Sequence, residues 1–181
     1  MKTMKVNLAT LMIVSLVMNG CQKQISGGNA RSSNDVGLNA SSGATQVSGI
    51  GYFDATDACN FGGQGATFAI TLAGDLVGCH YFFVDEFECS PSGTYREKGR
   101  ELFVGTYKGE AGSFRTTYKF EGKYEGCAAN GSYVGAEILG RCQHPIVEGS
   151  GEGVFEGVSG RLNFKDDIEA GNYPYRGHFR F

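Results

Sequence analysis

The sequence predicts one all-β domain over residues 47–181, a single antiparallel barrel of about eight strands. Three observations predict it. The segment is rich in glycine, which recurs between runs of β-branched and aromatic residues. Its clearest run, residues 113–125, alternates between apolar and polar side chains, as a strand with one buried face does. No stretch keeps an apolar period of 3.6 residues for more than about two turns, so little helix is expected.

The strands are predicted from this alternation and from the turn residues between them. They cover residues 46–54, 67–72, 76–86, 94–107 with a break at Gly99, 113–125, 132–142, 161–164 and 172–181. Short turns at 73–75 and 108–112 join neighbours as hairpins. Closing such a sheet into a barrel removes its exposed edges, and about eight strands leave room for side chains or one small ligand. An open sandwich of two sheets is the alternative.

The N-terminal residues have the parts of an export signal. Lys2 and Lys5 precede an uncharged run at 6–18, which is too short for the ~20 residues of a membrane span. Residues 17–21 resemble the lipobox of bacterial lipoproteins, although Met18 and Asn19 depart from the usual pattern. This resemblance implies a signal peptide over 1–20, lipid attachment at Cys21 and a place at the outer membrane. An ordinary secretory signal is the alternative.

A flexible tether is predicted between the anchor and the domain, over residues 21–46. Its composition is dominated by serine, glycine, asparagine and alanine, and it has too few apolar residues to order itself. Taking Lys2 and Lys5 from the 16 basic residues leaves 14, against 19 acidic ones. This negative balance argues against a nucleic-acid partner. The oligomeric state is left open.

Five cysteines follow Cys21, and in an oxidising compartment disulfides are the default interpretation. We expect Cys89 to pair with Cys142 and Cys59 with Cys79, leaving Cys127 in a turn-like stretch, although spacing alone permits other arrangements. The cysteines and histidines lack the spacing of a zinc site, so neither a metal nor a cofactor is expected.

The glycine-rich segment at 149–161 carries a family resemblance. It is similar to the segment that precedes the last strands of the allene oxide cyclase and dirigent barrel families, with a weaker match at Leu162, Phe164 and Tyr175–Gly177. The resemblance implies a barrel whose lumen holds a hydrophobic small molecule, with cyclase chemistry or the steering of radical coupling as its use. We expect Phe155 to plug one end of the barrel. No functional residue of either family can be placed elsewhere in the chain.

Candidate ligand-binding residues come from strand parity. Glu137 and Arg141 lie four apart on one predicted face, where they would form either a buried head-group site or a surface pair. His80 shares parity with Phe82, so it points inward as an acid or base, or as a core histidine. Tyr118 also points inward. His144, which precedes Pro145, is interpreted as a capping residue in a loop.

Three functions stay open at this point. The favoured one is an envelope lipoprotein whose barrel binds a hydrophobic or amphipathic small molecule, or a partner. The second is a cyclase or isomerase, and the third is a structural surface lipoprotein without a ligand. The sequence contains no hydrolase or metalloprotease motif, and the acidic clusters at 85–88 and 166–169 are interpreted as solvated charge rather than calcium sites. A non-enzyme is therefore favoured. A large apolar cavity in the lumen would favour the binding or enzymatic function over the structural one.

Overall fold

The computed structural model describes residues 43–181. The predicted signal peptide, Cys21 and all but the end of the predicted tether lie outside the described residues. These residues form nine strands in chain order: β1 Thr45–Phe53, β2 Phe68–Gly74, β3 Leu76–Cys89, β4 Thr94–Tyr107, β5 Glu110–Cys127, β6 Tyr133–Pro145, β7 Glu152–Gly153, β8 Ser159–Lys165 and β9 Tyr173–Arg180. A 3₁₀ turn at Gly62–Gln64 accompanies them. Among the described residues, no helix is long and apolar enough to cross a membrane.

The sheet closes into an antiparallel barrel of eight strands, which confirms the predicted fold class and excludes the open sandwich. Its strand order is β4-β3-β2-β1-β9-β8-β6-β5, and pairing of β5 with β4 completes the circle. The short β7 lies outside the barrel and pairs with the start of β5. All pairs are antiparallel, as the short connections between successive strands require.

The eight barrel strands agree closely with the predicted ones, although several are longer and the short β7 was not predicted. Two of the differences have a clear physical reason. β1 begins at Thr45, inside the segment predicted as tether, because Thr45 pairs with Phe179 of the last strand. β4 is not broken at Gly99, which pairs with Val84 on one side and Tyr118 on the other. A side chain there would collide with the Phe83 carbonyl at 2.1 Å, so this glycine permits close strand packing rather than a break.

The β4–β5 hairpin shows how local residues set the register. Lys108 and Gly109 form its two-residue turn, with φ of 54° and 85°. Two positive φ values are typical of the type I′ turn, whose twist matches that of the strands it joins. The predicted five-residue connection is therefore shorter in the structure, and Tyr107 pairs with Glu110.

One end of the barrel is closed by aromatic packing. Phe155, which is fully buried, contacts the rings of Phe103, Phe114 and Phe179 with centroid separations of 5.7, 4.9 and 6.0 Å. These near-perpendicular arrangements are favoured for aromatic pairs. We call this the closed end, and the expectation that Phe155 plugs one end of the barrel agrees with it. The opposite end, where β1, β3, β5 and β8 finish, is called the open end.

Two disulfides link segments of residues 43–181 outside the barrel lumen. Cys59–Cys79 ties the β1–β2 connection to β3, as predicted. The predicted Cys89–Cys142 bridge is wrong: Cys89 pairs with Cys127, and Cys142 is free and buried. Cys89 and Cys127 end β3 and β5, the two strands that flank β4, beyond the open end, with Cα atoms 5.6 Å apart, whereas Cys142 points into the barrel. The alternation of side chains along β6 places Cys142 inside the lumen, and from there its thiol cannot reach Cys89 beyond the rim of the barrel.

Among the five cysteines that follow Cys21, non-reducing peptide mapping is expected to find the Cys59–Cys79 and Cys89–Cys127 bridges and one free thiol, at Cys142. Burial, together with the negative charges of Glu101, Asp166 and Glu97, raises the pKa of this thiol. Because the thiolate is the reactive form, alkylation at pH 8 should be slow in the native protein and fast in urea. A peptide linked through Cys142, or rapid native alkylation, would contradict this arrangement.

Candidate functional site

A cavity of about 390 Å³ occupies the open end of the barrel. All eight barrel strands supply lining residues, including the last residue of β1, the middle of β3 and the first residues of β2, β4 and β9. Phe53 and Tyr133 line it and are about half exposed, so the cavity reaches the surface. Its volume falls in the range of small-molecule sites, ~300–1,000 Å³. The lumen is therefore not packed solid along its length.

Aromatic rings form most of the cavity wall. They comprise five phenylalanines and five tyrosines: Phe53, Phe68, Phe82, Phe120, Phe164, Tyr95, Tyr118, Tyr124, Tyr133 and Tyr173. Several contact one another, with the Tyr124 and Tyr133 rings stacked at 4.0 Å and the Phe68 and Phe82 rings at 4.4 Å. The inward parity predicted for residues 113–125 produces part of this wall, because Tyr118 and Tyr124 are buried and Phe120 is half-buried.

Glu97 is fixed in the wall by two tyrosines. The hydroxyl of Tyr118 donates to its Oε1 at 2.6 Å, and the hydroxyl of Tyr95 donates to its Oε2 at 2.7 Å. Burial and the neighbouring Glu97 raise the pKa of both phenols. Accepting two hydroxyl hydrogens is the chemistry of an ionised carboxylate, and bonds of this kind are among the stronger ones in proteins.

Two further carboxyl groups, those of Glu137 and Asp166, converge over Gly140. A Cβ atom on Gly140 would lie 2.2 Å from Glu137 Oε1 and from Asp166 Oδ2, so only glycine leaves room for both. Burial, followed by the neighbouring Asp166, raises the pKa of Glu137 to about 7. Burial also raises the pKa of Asp166. Two carboxyl groups so close cannot both ionise easily, so the pair holds a proton near neutral pH.

A layer of buried polar side chains lies beneath the cavity, between the two ends of the barrel. Glu101, His80, Thr116 and His144 are each at most 1% exposed. His144 Nδ1 lies 2.8 Å from the Glu101 carboxylate, and His80 Nε2 lies 3.6 Å from Glu101 Oε2. The Thr116 hydroxyl donates to Glu101 as well. One carboxylate is thus surrounded by three partners, as a buried charge requires.

The charges of this layer follow from its geometry. Burial lowers the pKa of His80 to about 4, despite the opposing charge of Glu101, so His80 is neutral near pH 7. Burial would raise the pKa of Glu101, but the two histidines and the Thr116 hydroxyl outweigh it, and the pKa lies below the ordinary value. An ionised Glu101 accepts only, so His144 Nδ1 carries the hydrogen of their bond.

His144 joins this layer to the cavity. Its ring lines the cavity, while Glu101, its partner, does not. Nδ1 is held by Glu101, and Nε2 is buried with no hydrogen-bond partner among the described residues. In the neutral ring, Nε2 is an acceptor, because the other nitrogen bears the hydrogen. The arrangement of a carboxylate, an oriented imidazole and a bare second nitrogen can accept a hydrogen bond or a proton from a bound molecule.

His80, Glu101 and His144 are also the group among the described residues that could hold a metal ion, with ligand atoms within 4.8 Å of one another. Two histidines and one carboxylate suit several transition metals. However, Glu101 already accepts the His144 Nδ1 hydrogen, so the two atoms that would bind a metal satisfy each other. Metal ligands usually have a second hydrogen-bond partner, and His80 Nδ1 and His144 Nε2 have none.

The structure does not bring all four predicted site residues into one site. His80 and Tyr118 point into the barrel as expected, His80 in the buried layer and Tyr118 in the cavity wall. Glu137 lines the cavity, but Arg141 does not share its face: Arg141 is exposed and pairs with Glu121 at 2.9 Å. Irregular pairing of β5 with β6 reverses the parity between them. The predicted Glu137–Arg141 pair is therefore wrong.

Four residues of the site were missed or misplaced at the level of sequence. His144 is not a loop capping residue but a buried residue of β6. Glu97 and Glu101 share a parity with Tyr95 and Phe103, which is the signal that would have found them once β4 is taken as continuous. Asp166 lines the cavity, although its cluster was interpreted as solvated. The 85–88 cluster does pair outside, with Asp85 to Arg100 and Glu86 to Lys98.

Comparison with family models, with curated proteins and with solved structures finds no match for this chain. The resemblance of residues 149–161 to the cyclase and dirigent barrels therefore stays a prediction.

Proposed function

We propose that this chain is an envelope lipoprotein whose barrel binds an amphipathic small molecule at its open end. The observation that carries the proposal is the cavity of about 390 Å³, whose wall is aromatic and whose polar groups are few and fixed. This combination is typical of ligand sites, in which apolar walls supply the affinity and placed polar groups supply the orientation. A purely structural barrel has no need of such a space, since a cavity of this size weakens a core.

The anchor is part of the same proposal. A lipid on Cys21 would hold the barrel near a membrane, from which apolar molecules partition. Mass spectrometry of the protein from membranes should find a diacylated Cys21 at the N-terminus. A different N-terminus, with the protein in the soluble fraction, would contradict the anchor and leave the cavity argument intact.

Native mass spectrometry of protein extracted from envelopes tests the binding function. We expect a retained small molecule in one-to-one stoichiometry. In calorimetry, 1-decanol should bind the delipidated protein with a negative heat-capacity change, the marker of apolar burial. No retained mass and no saturable binding of any decyl compound would favour the structural function instead.

A tryptophan at Ile70 provides the matching variant. Ile70 lines the cavity and is buried, so Ile70→Trp would fill the space and should weaken decanol binding at least tenfold. The chain contains no tryptophan, so the new side chain also reports on folding by fluorescence. Val104→Trp is the control, because Val104 is about half exposed on the outside of β4 and should leave binding unchanged.

A second function, a cyclase or isomerase, is favoured by the Glu101–His144 pair. An imidazole oriented by a carboxylate, with its second nitrogen bare beside a cavity, is a common form of general base. Replacing His144 with glutamine would keep hydrogen bonding but remove proton transfer. If the retained molecule is converted by the wild-type protein and bound unchanged by His144→Gln, the enzymatic function holds; if wild-type protein returns it unchanged, binding alone holds.

A further inference from the structure

We propose that the cavity takes a cationic amphiphile, with an organic ammonium head group lying among Glu97, Glu137 and Asp166 and an apolar tail against the aromatic wall. The inference rests on the proposed function, since it names the class of molecule that the same cavity binds.

The charge of the lining points to a cation. Three carboxyl groups line the cavity, and none of the lysines or arginines in residues 43–181 does. Three basic side chains of the neighbouring strands are paired on the outer surface: Lys98 with Glu86, Arg100 with Asp85 and Arg141 with Glu121. His144 is the one basic residue of the lining, and it is bound to Glu101. An anionic head group would therefore meet carboxylates without a compensating charge.

The aromatic wall suits the same ligand. A cation is attracted to the face of an aromatic ring, and sites for organic ammonium groups in proteins are commonly cages of such rings. Five tyrosines surround this cavity, and two of them, Tyr95 and Tyr118, direct their hydroxyl hydrogens at Glu97. Their hydrogens are thus already used, which leaves the rings and the carboxylates to face a ligand.

The buried polar atoms without partners are an independent indication. His144 is 1% exposed, and its Nε2 lies at the cavity wall without a hydrogen bond. Glu137 Oε1 is also buried and unsatisfied. His144 Nε2 is an acceptor in the neutral imidazole, and Glu137 Oε1 becomes one when its carboxyl group gives up its proton, so each then needs a donor. A buried acceptor without a hydrogen bond is costly, and a head group with several N–H donors would satisfy both atoms.

A metal ion fits less well than an ammonium group. Calcium takes about six to eight oxygen ligands, and the lining offers three carboxyl groups and ten aromatic rings. The rings supply no ligand to a hard cation, but they do stabilise an organic one and cover its tail.

Three decyl compounds with one tail length separate the possibilities. In calorimetry at pH 7.5, below the micelle concentration, decylammonium should bind at least tenfold more tightly than 1-decanol, and decanoate should bind weakest. If decanol or decanoate binds as tightly as decylammonium, the cavity binds amphiphiles without selecting the cation, and the inference is overturned while the proposed function survives. If none of the three binds, both are overturned. Saturable binding of calcium chloride at micromolar concentration would also overturn the inference.

Charge removal provides the second test. Glu97→Gln should weaken decylammonium at least tenfold and leave decanol within about twofold, because shape is kept and one charge is lost. Glu121→Gln is the matched control: it removes the same charge from the outer face of β5, where Glu121 pairs with Arg96 and Arg141. Thermal melting checks that each variant folds. Equal losses of decylammonium affinity in the two variants would show that only the overall negative charge of the protein attracts the ligand. That result would overturn the proposed head-group site.

The pH dependence of decylammonium affinity tests the role of the Glu137 charge, because apolar packing of the tail does not change with pH. Glu137 faces Asp166, Tyr124 and Tyr173, and its pKa of about 7 means that it is protonated below that pH. An ammonium group must displace this proton, so decylammonium affinity should rise several-fold from pH 6 to pH 8. Glu137→Gln should flatten the rise. An affinity independent of pH in the wild-type protein, or an unchanged slope in Glu137→Gln, would contradict the placement of the head group.

Discussion

Replacing His144 with leucine is expected to lower the free energy of unfolding by about 3–5 kcal/mol. The cause is not the lost bond alone. Glu101 is 1% exposed, and its carboxylate would keep only the Thr116 hydroxyl and a distant, neutral His80. A buried charge without its main partner is strongly destabilising.

The double variant Glu101→Met, His144→Leu separates charge from packing. Replacing both partners by apolar groups of similar size is often neutral, so it should recover most of the stability lost in His144→Leu. Arg141→Leu is the control, because Arg141 and Glu121 form an exposed pair worth less than about 1 kcal/mol. Urea unfolding with linear extrapolation measures all three. A loss below about 1 kcal/mol in His144→Leu would show that Glu101 does not depend on it.

Phe155→Ala is expected to cost about 3–5 kcal/mol, because it removes the plug of the closed end. Phe155 is fully buried and packs on Phe103, Phe114 and Phe179. The cavity lies at the opposite end, so the variant should still bind decanol with nearly wild-type affinity at a temperature where it is folded. Stability and binding are therefore expected to separate.

Phe87→Ala is the control for this prediction. Phe87 is about half exposed near Tyr95, so its truncation should cost less than about 1 kcal/mol. Thermal or urea unfolding gives the stability, and calorimetry gives the affinity. Equal stability losses in the two variants would mean that Phe155 is not a plug, and loss of decanol binding in folded Phe155→Ala would mean that the two ends are coupled.

The fold could be predicted from sequence because each barrel strand carries its own signal. The alternation over 113–125 identifies the inward face of β5 with Phe114, Thr116 and Tyr118 buried, and the structure agrees at each position. The turns at 73–75 and 108–109 contain the glycines that positive φ requires at Gly74 and Gly109. Such local patterns survive folding because they set register and burial directly.

The site could be predicted only in part, because it depends on where parity changes. The irregular pairing of β5 with β6 turns Glu137 inward and Arg141 outward. The residue types in β6 do not predict this irregularity. The side-chain direction along β6 also explains why the predicted Cys89–Cys142 bridge is wrong. Cys142 points into the lumen, so Cys127 and not Cys142 forms the bridge with Cys89. Glu97 and Glu101 were lost when Gly99 was interpreted as a break.

Nuclear magnetic resonance of the aromatic rings during a decylammonium titration tests the central claim most directly, since it reports where a ligand binds rather than how tightly. The account predicts that the ring signals of Tyr95, Tyr118 and His144 shift together and saturate at one equivalent. The signals of Phe155 and Phe179, at the closed end, should stay in place. Shifts spread over the outer surface, or saturating shifts at the closed end with the cavity rings unmoved, would contradict the assignment of the open end as the binding site.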